Sequence, residues 1–100
     1  MALTFRKPKD VAHALQLVNE AKVKVLWDIC RESNLEMSKQ YFDMYKPIVF
    51  IYQKNKLVAA AHNKFGSPEI IGLDDNVITN NYTKAELNDI DMAIKQIELF

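Results

Sequence analysis

A chain of 100 residues with one cysteine, two glycines and three prolines is excluded from several protein classes at the outset. Cys30 has no partner for an internal disulfide, which fits a reducing compartment. Gly66 and Gly72 cannot supply a Gly-x-Gly-x-x-Gly nucleotide loop or a Walker-type phosphate loop. So few glycines and prolines also argue against long disordered linkers. Thirteen basic residues balance thirteen acidic ones, for a formal net charge of zero. That balance argues against nucleic-acid binding driven by phosphate neutralisation. It argues equally against a DNA-mimic inhibitor, which needs a strongly acidic surface. No apolar run approaches the roughly 20 residues of a membrane-spanning helix. The first nine residues lack the apolar core of a signal peptide. These absences predict a cytoplasmic protein with no membrane partner. The sequon Asn81-Tyr82-Thr83 is then a chance match.

What is present is enough for one core. Hydrophobic residues make up 49% and charged residues 26% of the chain, the balance of an ordinary globular protein. The length predicts a single domain, 1–100. The strongest local signal is residues 47–62. The run Ile48-Val49-Phe50-Ile51-Tyr52 is rich in β-formers, and Leu57 to His62 returns after the polar turn Gln53-Lys54-Asn55-Lys56. The tip falls at Lys54-Asn55, because asparagine tolerates positive φ. The first run is nearly continuous rather than alternating, which predicts a strand that is central or covered on both faces. Ala59-Ala60-Ala61 favours close approach of a helix. A short third strand is expected at 69–73.

Helical spacing supplies the other elements. Asp10 reads as an N-cap. Val11, Ala14, Leu15, Val18, Ala21, Val25 and Ile29 then share one face, predicting a helix over about 10–31. Residues 22–27 also alternate with period two, a competing strand pattern. Ser33-Asn34-Leu35-Glu36 matches a capping box and starts a helix over 34–45, which Pro47 ends. Thr83-Lys84-Ala85-Glu86 is a second box. It opens a helix over 84–99 with Leu87, Ile90, Ala93, Ile94 and Ile97 inward and Asn88, Asp91, Lys95 and Glu98 outward. Residues 1–9 form a short extended arm able to add an edge strand. The predicted class is α+β, in the order α-α-β-β-(β)-α, with the helices on one face of a small antiparallel sheet.

No residue set converges on a recognisable active site. Cys30 and His62 are a nucleophile and a base without a third orienting group. Cys30 reads better as a small buried hydrophobe. His13, His62, Asp28 and Asp43 lack metal-ligand spacing. Asp74-Asp75-Asn76 lacks the mid-loop glycine of a calcium loop and reads as a solvated turn. No metal or cofactor is therefore expected, and no catalysis. Arg6, Lys7 and Lys9, joined by Lys22 and Lys24, are the candidate nucleic-acid contacts.

Aromatic and methionine residues are crowded into one region. Trp27, Met37, Tyr41, Phe42, Met44 and Tyr45 exceed what one buried helix stripe needs. Trp27, Phe42 and Tyr45 are assigned to the core. Met37, Tyr41 and Met44 are the candidate partner-binding residues, since exposed apolar patches mark binding sites. In composition the chain is rich in Lys, Asn and Ile and has only two arginines. In this it resembles small single-domain proteins encoded by bacteriophages and mobile elements. The resemblance implies a module that binds another protein, as an inhibitor or modulator of a host or defence protein, or binds itself as a homodimer.

Overall fold

Lys54 and Asn55 both adopt positive φ, 52° and 63°, the geometry of a two-residue type I′ turn. They join β2 (Ile48–Gln53) to β3 (Lys56–His62) in the expected hairpin. The structure, a computed structural model, describes residues 2–96. The remaining elements are β1 (Leu3–Arg6), α1 (Val11–Ala21), α2 (Leu35–Tyr45), β4 (Glu69–Gly72) and α3 (Lys84–Gln96). Single 3-10 turns lie at Asp28–Cys30 and Thr79–Asn81.

The sheet is a four-stranded antiparallel meander in the order β1-β2-β3-β4. The expected third strand is present, and the N-terminal arm supplies a fourth, pairing Leu3 with Gln53 and Arg6 with Phe50. Ile51 pairs with Ala59 but Tyr52 with Leu57. Val58 is therefore the extra residue of a β-bulge.

The helices do not share one face. Ile48 and Phe50 pack with Ala14, Leu17, Val18 and Phe42 from α1 and α2. Val49 and Ile51 pack with Ile90 and Ile94 of α3. The continuous apolar run of β2 has this cause: both its faces are covered. The alanines serve the same end. Ala59 and Ala61 lie under α3, and Ala60 lies under the opposite layer.

The helix expected over 10–31 is shorter. Asp10 caps it, its carboxylate accepting the His13 N–H at 2.8 Å. The helix stops at Ala21, where Lys22 takes the left-handed conformation with φ 57° and donates its N–H to the Asn19 carbonyl. Residues 23–27 form neither helix nor strand. Val23 and Val25 are β-branched and lose side-chain freedom in a helix, and neither the helical nor the strand reading of 22–27 describes the segment. Trp27 and Ile29 are buried from this crossing segment rather than from a helix. Leu17, 1% exposed, widens the buried stripe of α1 beyond the anticipated positions.

The two capping boxes behave differently. Thr83 and Glu86 form the reciprocal pair, with Thr83 N–H to Glu86 Oε1 at 2.9 Å and Glu86 N–H to Thr83 Oγ1 at 3.1 Å. At α2, Asn34 and not Ser33 is the cap, accepting the Met37 N–H at 3.0 Å. Leu35, the first residue of α2, is 55% exposed. In the loop between β4 and α3, Val77 is exposed, whereas Ile78 packs against the α3 layer. Ile97 and Glu98 lie outside the described residues. Among those described, no helix is long and apolar enough to cross a membrane.

Ser38 ties α2 to the preceding turn. Its hydroxyl is fully buried, accepts the Arg31 N–H at 2.8 Å and approaches the Arg31 carbonyl at 3.2 Å. Ser38→Ala leaves that backbone amide without its partner, while the carbonyl keeps the Asn34 N–H at 3.1 Å, so it is expected to lower unfolding stability by about 1–3 kcal/mol. Urea denaturation of the variant beside wild type measures this.

Candidate functional site

Trp27 fixes one wall of the site. Its indole N–H donates to the Gly72 carbonyl at 2.7 Å, and the Leu26 N–H donates to the Leu73 carbonyl at 2.9 Å. The crossing segment is thus bound to the end of edge strand β4. The indole ring also packs on Phe50, with centroids 5.1 Å apart. Opposite it, α2 presents Tyr41 and Tyr45, stacked with centroids 6.4 Å apart and planes 5° from parallel.

Between these walls lies a cavity of about 200 Å3. Its floor is Ile48, Ala60, His62 and Ile71, and its rim carries Asp28, Glu69 and Asp75. Ala60 is the reason for the depth, since a larger residue there would fill the floor. The turn after β4 brings Asp75 to the rim. Its N–H donates to the Gly72 carbonyl at 3.0 Å, and its φ is 69°, a conformation that Asp tolerates better than most residues. Asp74 is spent locally, accepting from the Asn76 backbone and side chain at 3.2 and 2.9 Å. Those bonds hold its carboxyl below the usual range.

His62 ends β3, as its place in the hairpin suggested, but it is only 7% exposed. Its Nε2 lies 3.3 Å from Glu69 Oε1, the residue directly across the ladder. Its Nδ1 accepts the Lys64 N–H at 3.3 Å. Both contacts are satisfied by one form, the neutral imidazole protonated at Nε2. Burial, opposed by Glu69 and aided by Lys64, pushes its pKa below 6.5 and favours that form. Neither nitrogen is then free to take a proton from a substrate. Tyr45 lies 4.7 Å from the imidazole on one side and Phe65 lies 5.8 Å away on the other. Tyr41, Tyr45, His62 and Phe65 therefore form one row of rings, with Phe65 69% exposed at its end. Lys64 Nζ is 5.6 Å from the Tyr45 centroid and donates to the Met44 carbonyl at 2.7 Å.

The anticipated partner-binding residues separate. Met44 is 48% exposed, and Met37 and Tyr41 are half-buried. Tyr41 lines the cavity; Met37 and Met44 do not. Spacing missed Glu69, Asp75 and Phe65, because only the strand register and the turn bring them to His62 and Trp27. The basic residues fall into two groups. Arg6, Lys7 and Lys9 lie before α1, and Lys22 and Lys24 lie beyond its other end. An 11-residue helix separates them by about 16 Å. Lys7 and Lys9 instead share a shallow groove with Lys46, Phe42 and Pro47. Cys30 is buried, and burial with the nearby Glu32 pushes its thiol up to about 12. Among the described residues no three of His, Cys, Asp and Glu gather to hold a metal.

Two measurements follow. With its pKa depressed in the fold, His62 takes up a proton more readily in the unfolded chain. Its contribution to stability is therefore complete above pH 6.5 and is lost as pH falls from there through the folded pKa. Melting temperature should drop between pH 7 and 5.5 in wild type and drop less in His62→Gln. The Cys30 thiol should react with a disulfide reagent far more slowly in the native protein than after unfolding in urea. No family model matches the chain, and neither a curated protein nor a solved structure matches it significantly.

Proposed function

We propose that the protein is a non-enzymatic module that binds another protein through the C-terminal half of α2 and the loop after β3. The observation that carries this reading is the ring row Tyr41, Tyr45, His62 and Phe65, which runs beside an open cavity and ends in exposed Phe65. Exposed Met44 adjoins it through the Lys64 contact. Tyrosine, phenylalanine and methionine are enriched in the buried centres of protein interfaces. A partly exposed row of such groups around a concavity is the arrangement in which hot spots form.

The chemistry of the same groups points away from bond-making. The Cys30 thiol is buried and held far above neutral pH. The His62 nitrogens are both engaged. The compositional likeness to phage-encoded and mobile-element proteins fits an inhibitor or modulator of a host or defence protein. A second copy of the chain is the other occupant this surface admits.

Affinity capture from a lysate of the native host, with light scattering on the purified protein, tests the proposal. Met44→Ala and Phe65→Ser should each weaken the captured interaction by about 1 kcal/mol or more. Both side chains are exposed, so each should change folding stability by no more than about 0.5 kcal/mol. Tyr41→Ala should weaken binding further. Undiminished binding by all three variants would overturn the reading, as would a large loss of stability in the first two.

A further inference from the structure

Among the described residues, two of the three carboxylates lining the cavity have no lysine or arginine in salt-bridge contact. Asp28 is neutralised by Arg31, whose Nε lies 2.7 Å from its Oδ1. Glu69 pairs with His62, whose pKa burial lowers, against the pull of Glu69 itself. Asp75 has no hydrogen-bonding or salt-bridging side chain among the described residues; burial and the neighbouring Asp28 push its pKa upward, while Arg31 opposes them. Among the described residues no lysine or arginine lines the cavity; nearby, Arg31 pairs with Asp28, and Lys64 Nζ donates to the Met44 carbonyl. The walls between these carboxylates are the rings of Trp27, Tyr41 and Tyr45.

We infer that this cavity seats one basic side chain, a lysine or arginine, presented by the protein partner. The inference rests on the binding-module reading and names what the partner must bring. Size permits it. A buried cavity of about 150 Å3 holds benzene, and this one, at about 200 Å3, is open on one side for the rest of a chain to leave. Charge selects it. A neutral apolar group would strip water from Glu69 and Asp75 and return nothing, and an anion would be repelled by both. A cation on a flexible stem meets the carboxylates with its charge and the rings with its stem and its π-facing side.

The probe is N-acetylarginine amide, with N-acetylcitrulline amide as its neutral counterpart of the same shape. Trp27 is the sole tryptophan, so one indole N–H resonance reports on the cavity wall. The arginine amide should move that resonance saturably, and the citrulline amide should bind about threefold to fivefold more weakly, the worth of one exposed ion pair. Asp75→Asn suits the left-handed turn position, and Glu69→Gln still accepts from His62 Nε2. Each should weaken arginine binding by about twofold to fivefold and leave citrulline binding unchanged. Equal binding of the two amides, or no shift with either, overturns the inference. So does an unchanged affinity for arginine in the double variant. A captured partner that depends on Met44 and Phe65 but binds the double variant as tightly as wild type also overturns it, and leaves the module reading intact. Arginine binding with the expected pattern, in a protein whose capture is indifferent to Met44 and Phe65, supports the cavity's preference and overturns the module reading instead.

Discussion

The hydrogen bond from the Trp27 indole to the Gly72 carbonyl decides the shape of the α1–α2 face. Residues 23–27 have no place in a helix or in the sheet ladder. Without an anchor they would be a loose link between α1 and α2. The indole supplies an apolar body against Phe50 and a polar tip that reaches a backbone acceptor at 2.7 Å, the combination that makes a buried tryptophan favourable. The neighbouring Leu26 N–H to Leu73 carbonyl bond adds a second tie. Together they pin the segment to the end of β4. The outer edge of β4 is closed separately by the returning chain, where the Ile78 N–H meets the Ile70 carbonyl and the Gly72 N–H meets the Asn76 carbonyl, both at 2.8 Å. The region between this strap and α2 stays open, and the cavity occupies it.

Ala60 and its neighbours explain why the opening has a floor and not a plug. β3 is flanked by β2, which carries Ile48 and Phe50 on this face, and by β4, which carries Ile71. Between those larger groups a methyl leaves a depression. On the other face Ala59 and Ala61 serve a different purpose, since small residues there let Ile90 and Ile94 of α3 sit close to the sheet. One run of three alanines thus does two things. It admits a helix on one side and leaves room on the other.

The hairpin was legible from its residues because its signals are local. Lys54-Asn55 carries its turn chemistry, and the β-formers of 48–52 carry their own preference. The Thr83–Glu86 box was legible for the same reason. The failures are the places where distant parts of the chain overrule local pattern. Val11 to Ile29 can be drawn as one helical stripe, yet Val23 and Val25 favour extension, and Trp27 gains more by reaching Gly72 than by staying in the stripe. Placement of helices on both sides of the sheet was hinted at by the unbroken run of β2, and the assumption of a single layer passed over that hint. The site was readable only in part. Tyr41 stood out as surplus aromatic content. Glu69 and Asp75 did not, because their importance comes from strand register and from a turn, neither of which spacing along the chain reveals.

The same register accounts for what His62 is and is not suited to do. A histidine facing a glutamate across a ladder resembles half of a catalytic relay, but a relay needs one imidazole nitrogen directed at a substrate. Here the Lys64 amide takes Nδ1 and Glu69 takes Nε2. The imidazole is held rigidly between Tyr45 and Phe65 as one more ring in a row. Holding it neutral also leaves the charge on Glu69 unanswered. The burial that removes His62 from proton chemistry therefore leaves a negative rim beside an aromatic hollow. Fixed rings beside negative charge are the two features on which the proposed seating of a basic side chain draws.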